Sequence, residues 1–262
     1  MSARPDELGA DRPATAFRDV VVIGGGCYGT FYAGQLRTAL GRGRIEARSV
    51  ILVDRDPTCQ AAREAQLAPP FELVVADWGG FLDGFLDRPP PPPGAPDDAI
   101  VPSPLMPHLM AEWLARWAGR ERPGRSLIAV PVDQPMSTPY DVAAPDGNRY
   151  VSFADWLCPT HCVEPQICPI TRGPRTWEMS EALTQYVARC NRTRPTAGPA
   201  LLVTRHRAFG VGMFDVAEVR LARTLLSDAL DRPNECDFIV ATISSCHGAI
   251  TCFRAAGLRE GR

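Results

Sequence analysis

The sequence predicts an α/β protein on a doubly wound, mostly parallel sheet, interrupted by an irregular cysteine-rich insertion. Three observations predict it. Short apolar runs without alternation, the mark of strands covered on both faces, recur along the chain and alternate with stretches of helical periodicity. The first run leads directly into a cluster of glycines. Residues 133–175 have little periodicity but many prolines, aromatics and cysteines.

Composition narrows the function classes. The chain has 262 residues, 45% of them hydrophobic, enough to bury a sizeable core and exclude wholesale disorder. Its 28 basic and 30 acidic residues nearly balance, so there is no global attraction for nucleic acid or an anionic membrane. All basic residues are arginine and lysine is absent. That removes Schiff-base chemistry, a Walker-type P-loop and any Tyr-x-x-x-Lys site, each of which needs an amine at a fixed place. The start, Met1 to Ala10, lacks the apolar segment of a signal peptide, and no apolar run reaches membrane-spanning length. A cytoplasmic location with reduced thiols is expected, so the nine cysteines read first as metal ligands or reactive thiols.

The elements follow in order. Residues 1–17 read as a mobile polar arm. Asp19 to Gly24, Ser49 to Asp54 and Phe71 to Ala76 are buried-strand patterns, separated by helical stretches at about 28–41 and 59–66. Phe81, Leu82, Phe85 and Leu86 suggest a short helix; Pro89 to Pro93 demand an extended connection. Ala99 to Val101 is a fourth strand, and Leu109, Met110, Trp113, Leu114 and Trp117 share one helical face. Ser126 to Val132 reads as a strand and Trp177 to Cys190 as a helix. Leu201 to Thr204 and Phe238 to Thr242 are late strands flanking a helix near 215–230, and Ala249 to Ala256 is compatible with a last helix.

Gly24-Gly25-Gly26-Cys27-Tyr28-Gly29 fits G-x-G-x-x-G at Gly24, Gly26 and Gly29. It follows a strand, opens a helix and precedes an acidic residue, Asp54, at the end of the next strand. The first glycine permits the tight turn, the second lets a pyrophosphate approach the backbone, and the third lets helix and strand pack closely. The anion then meets a positive helix N-terminus. Asp54, accepting from both ribose hydroxyls and repelling a 2′-phosphate, favours NAD over NADP. At these residues the chain resembles the Rossmann dinucleotide-binding family over about residues 19–102. It is most similar there to the nucleotide-binding domains of potassium-conductance regulators and of NAD-linked dehydrogenases. The resemblance implies that Asp77, ending the third strand, approaches the adenine; an N-cap role fits it equally. An FAD reading fits the glycines too, but is weakened by Asp54 in place of the common Glu and by the short chain.

The cysteine loop, Cys158-Pro-Thr-His-Cys162-Val-Glu-Pro-Gln-Ile-Cys168-Pro, has the pattern C-x3-C-x5-C. Its prolines forbid a continuous helix, so the thiols sit on a loop able to fold around one centre. Soft thiolates suit an iron–sulfur cluster or zinc, although the spacing matches no standard run of either. His161, Cys190, Cys246 or His247 could complete the set Cys158, Cys162 and Cys168. A redox-active thiol group and cysteines acting as small buried hydrophobes are the alternatives. Arg172 and Arg175 could offset thiolate charge or clamp a substrate carboxylate or phosphate. Cys246 and His247 lie at a strand–turn–helix corner on the carboxyl edge, where a helix N-terminus would favour the thiolate and the imidazole could move a proton. Thr204 to Gly212 belongs at the same edge, and His108 could face the nicotinamide.

These readings divide the chain into the arm, a dinucleotide-binding half (18–132), a metal-binding loop (133–176) and a second α/β half completing the same sheet (177–262). They imply an NAD-dependent oxidoreductase with a cysteine-ligated metal or iron–sulfur site near the nicotinamide. Its partner would be a small-molecule substrate or a redox protein, with no nucleic acid or membrane. An NAD(H)-sensing module and a metal- or cluster-handling accessory protein are the alternatives.

Overall fold

The computed structural model describes residues 14–65, 67–155, 158 and 162–257. The described elements run β1 (Thr15–Ile23), α1 (Cys27–Gly41), β2 (Ile45–Asp54), α2 (Gln60–Glu64), β3 (Phe71–Val75), α3 (Trp78–Leu86), β4 (Ala99–Val101) and α4 (Leu109–Glu121). They continue with β5 (Leu127–Val130), β6 (Tyr140–Ala143), β7 (Arg149–Ser152), α5 (Met179–Cys190), β8 (Thr196–Val203), β9 (Arg205–Ala208), β10 (Val211–Asp215), α6 (Val216–Leu230), β11 (Cys236–Ile243) and β12 (His247–Ala255).

Two mixed sheets result. The first has the order β3-β2-β1-β4-β10-β9. Its first four strands are parallel, while β10 runs antiparallel to both β4 and β9. The second has the order β6-β7-β12-β11-β8, with β5 also paired to β12. Only β8 and β11 are parallel there; β12 runs antiparallel to β11, β5 and β7.

Burial explains the layering. Val20 to Ile23 are buried on both faces of β1. Val20 and Val22 pack on Ala33, Leu36 and Ala39 of α1. Val21 and Ile23 face a second core shared by α3, α4, α6 and the inner face of the second sheet, with Trp113, Phe214 and Phe238 fully buried in it. α5 covers the outer face of that sheet through Met179, Leu183 and Tyr186. The layers therefore run helix, sheet, helix, sheet, helix, and α3, α4 and α6 are apolar enough to serve two sheets. Among the described residues, no helix is long and apolar enough to cross a membrane.

Four expectations are corrected. The second half does not complete the first sheet: β9 and β10 join its edge antiparallel, and β8, β11 and β12 build the second sheet with β5, β6 and β7. Residues 249–256 form no helix. They belong to β12, because Ile250, Thr251 and Phe253 suit a pleated surface and β12 pairs on both sides, which overrides the helix propensity of its alanines. The polar arm ends earlier than residue 17, since Thr15 to Phe17 pair with Ile45 to Ala47 and Phe17 is buried; residues 1–13 lie outside the described residues. The 133–175 stretch is not wholly irregular. β6 and β7 form a hairpin across Pro145-Asp-Gly147, where Gly147 takes a φ of 88° that a turn of this kind needs.

Candidate functional site

The glycine loop leaves the carboxyl end of β1. Gly24 has φ 90°, and its N–H donates to the Val53 carbonyl at 2.9 Å. A Cβ on Gly29 would lie 1.9 Å from the Gly24 carbonyl oxygen, so only glycine lets α1 start this close to the strand. A Cβ on Gly26 would meet nothing within 4 Å, which leaves the space in front of it open. Gly26 caps α1 without a side-chain hydrogen bond, and no acidic residue lies in the first turn. The positive end of α1 is therefore unneutralised by its own helix.

Asp54 is partly committed to this loop. Its Oδ2 accepts from the Gly25 N–H at 2.6 Å and its Oδ1 from the Asp56 N–H at 2.9 Å. The carboxylate thus fixes the glycine turn, and each oxygen keeps a second lone pair. Asp77 caps α3, accepting from the Gly80 N–H at 3.1 Å.

The cysteine end gathers side chains from distant segments. Cys158, Cys162, Glu164, Cys168 and Arg175 line one cleft of about 200 Å³ together with His206 from β9 and Cys246 and His247 from the β11–β12 corner. A neighbouring cleft lined by Tyr28, Ser103 and Leu105 shares Tyr32, Pro102, Pro104, Cys158, Thr204, Ser244 and His247 with it. The space is thus continuous from the first turn of α1 to the cysteine pocket.

Sequence reasoning missed Glu164, the residue that ties this pocket together. Its carboxylate accepts from the Ser245 N–H at 3.2 Å and the Cys246 N–H at 3.1 Å, pinning the cysteine loop to the β11–β12 turn. Burial works against its charge. Hydrogen bonds from Ser244, Cys246 and Ser245 and the nearby His206 nevertheless hold it below the ordinary carboxylate range. The available signal was that Glu164 is the sole acidic residue from Cys158 to Trp177. Glu164 takes a positive φ of 52°, a backbone conformation that a non-glycine residue seldom adopts.

The thiols differ in character. Burial pushes Cys246 up to about 12, against the Trp177 indole N–H that donates to its Sγ at 3.2 Å. The expected helix N-terminus beside it is absent because β12 follows, so a low-pKa Cys246 nucleophile is corrected to a protonated, buried thiol. Burial, then the neighbouring Cys162 and Cys168, push Cys158 up to about 11. Cys168 moves the other way: burial disfavours its thiolate, but the Thr171 N–H and hydroxyl and the Ile170 N–H outweigh it. His247 is held below the ordinary imidazole value by burial. Its Nε2 lies 2.7 Å from the Asp155 carbonyl, which can only accept, so Nε2 carries the proton and Nδ1 is the acceptor.

Other expected site residues fall elsewhere. Arg172 is exposed and outside the cleft; its N–H closes a turn onto the Cys168 carbonyl at 2.9 Å. Cys190 lies beside Gln134 in a separate pocket, too remote in the fold to join the loop cysteines as a ligand. His108 faces Tyr150 and Glu112, not this cleft. His161 lies outside the described residues. Among the described residues, no group of three His, Cys, Asp or Glu side chains can hold a metal ion. Cys158, Cys162 and Cys168 share a wall of this cleft.

Residues 110–256 match the family model AF_1314_C, described as "Uncharacterized protein, C-terminal domain". The chain belongs to that family. The matched span holds the second sheet and the cysteine side of the pocket, and leaves outside it the glycine loop and the pocket residues Tyr32, Pro102 and Pro104. An Archaeoglobus fulgidus protein described as "Uncharacterized protein" is 27% identical over 238 residues, covering 90% of this chain and 99% of its own length. No solved structure matches.

Proposed function

We propose that the protein is an NAD-dependent oxidoreductase whose dinucleotide lies along the carboxyl ends of β1 and β4 and whose substrate occupies the cysteine pocket. The observation that carries this reading is the pair of adjoining clefts that reach from Tyr28, in the first turn of α1 just after the glycine loop, to the cysteine pocket. The order β3-β2-β1-β4 supports it, because β1 and β4 flank the point where the strand order reverses, and open α/β sheets bind ligands in that crevice. The glycines support it further: Gly24 takes the positive φ, Gly29 permits the close packing, and Gly26 leaves room for a pyrophosphate at the α1 N-terminus.

Bound NAD would supply a two-electron hydride acceptor. In this reading the chain does three things. Asp54 orients the Gly25 turn and offers its remaining lone pairs to a ribose. His247, held neutral by burial and lining both parts of the cleft, takes the proton that leaves the substrate when hydride departs, through Nδ1. Glu164 positions the Cys246–His247 corner. The thiols stay available on the pocket wall, and no step runs through a metal.

The test is an NADH titration of the wild type and Gly26→Val. A Cβ at residue 26 meets no protein atom within 4 Å, so the variant should fold normally. Filling the pyrophosphate space should weaken NADH at least about tenfold, a loss of ~1.4 kcal/mol. Equal affinity in the two proteins would overturn the reading.

A further inference from the structure

We infer that the pocket takes a small carboxylate on the Nε–Nη2 edge of Arg175, an inference that rests on the reading of the pocket as a substrate site. Arg175 lines the cleft and its side chain is 20% exposed. Its Nη1 donates to Glu178 Oε1 at 2.7 Å. Its Nε is buried and, among the described residues, has no hydrogen-bond partner. A buried donor without a partner carries its full desolvation cost, so an acceptor reaching this edge would recover it. Arg88, Arg122 and Arg125 also have buried Nε atoms without a partner, but none of them lines this cleft.

The edge is held in place. The Arg175 N–H donates to the Gln166 carbonyl at 2.7 Å, and Ile167 and Pro174 form a β-bridge just before it. The guanidinium therefore projects from a closed loop, not from free chain.

Charge decides the class of anion. Arg175 already faces Glu178 on one side and has Glu164 and Cys246 close by on the other. His247 is neutral, and the chain has no lysine to add a second cation. A phosphate dianion would bring two charges against one guanidinium and the nearby Glu164 carboxylate. A carboxylate brings one charge and two coplanar acceptors, which a single guanidinium edge matches with two parallel N–H bonds. Pro165 and Pro169 offer apolar wall for a short carbon chain.

The probe is sodium acetate, followed by saturation-transfer NMR on the full chain, with inorganic phosphate as competitor at matched ionic strength. Arg175→Lys keeps the charge that Glu178 needs but lacks the planar two-donor edge. Acetate should bind the wild type and bind Arg175→Lys and Arg175→Gln at least about tenfold more weakly, while phosphate should fail to displace it. No acetate binding, equal binding by Arg175→Lys, or displacement by lower concentrations of phosphate would each overturn the inference. NADH titrated into the same samples separates the two claims. Arg175-dependent acetate binding without NADH binding leaves the carboxylate subsite and removes the oxidoreductase; NADH binding without acetate binding does the reverse.

Discussion

The glycine end and the cysteine end of the candidate site are built by different means. The glycine end comes from one continuous stretch, Ile23 to Gly29, whose shape is set by Gly24, Gly29 and one carboxylate, Asp54. The cysteine end draws on Ala154, Cys158 and residues 162–175, 204–212 and 244–247, brought together by two sheets and pinned by Glu164. A site made within one turn depends on sterics that act at fixed sequence spacing. A site assembled across elements depends on packing and on buried polar brackets. The first fails by steric clash, the second by loss of a hydrogen bond.

That contrast sets the largest expected effect. Gly29→Val drives a side chain into the Gly24 carbonyl, so urea unfolding should show a loss of more than about 4 kcal/mol or no cooperative transition. A stable Gly29→Val protein would mean that the glycine turn is not sterically determined.

Next is Glu164→Gln, which replaces a double acceptor by a group with one acceptor and one donor facing two N–H groups. The expected cost is about 1–3 kcal/mol by urea unfolding. Its pH dependence sharpens the comparison. The folded-state pKa of Glu164 lies below its unfolded value. Its contribution is therefore fully present above the unfolded carboxylate value, about 4.3, and fades as pH falls through the lowered folded value. Wild type should lose stability on acidification faster than Glu164→Gln; parallel curves would remove Glu164 as the bracket.

A smaller effect tests the glycine end by chemistry. Cys27 is the first residue of α1 and is exposed. Saturating NADH should slow its alkylation several-fold, read by mass spectrometry, while Cys246, with a thiol pKa of about 12, stays unreactive near neutral pH with or without NADH. The smallest effect is Trp177→Phe. It removes the N–H donor to Cys246 but keeps an aromatic ring for the stack on Phe153, so roughly 0.5–1 kcal/mol should be lost.

Legibility followed the same division. β1 to β4 and α1 could be read because fully buried strands and an amphipathic helix leave strong periodic signals, and the roles of Gly24 and Gly29 followed from spacing alone. β12 was hidden: its alanines and short apolar run also suit a helix, and only pairing on both sides decides for a strand. The second sheet was hidden because parallel and antiparallel partners of β11 are chosen by long-range packing. Cys158, Cys162, Cys168, Cys246 and His247 stand out in the sequence, and the structure brings them to one cleft. Their chemistry was not legible, because the thiol of Cys246 and the imidazole of His247 are set by burial, which no spacing encodes. Glu164 was overlooked because a lone carboxylate among cysteines and prolines reads as surface charge.

The most direct test of the joined cleft is hydrogen exchange followed by mass spectrometry with and without saturating NADH. The account predicts slowed exchange both at residues 24–30 and at residues 244–248, with the outer strands β5 and β6 unchanged. Protection confined to one end, or no protection at either, would contradict a dinucleotide reaching from the glycine loop to the cysteine pocket.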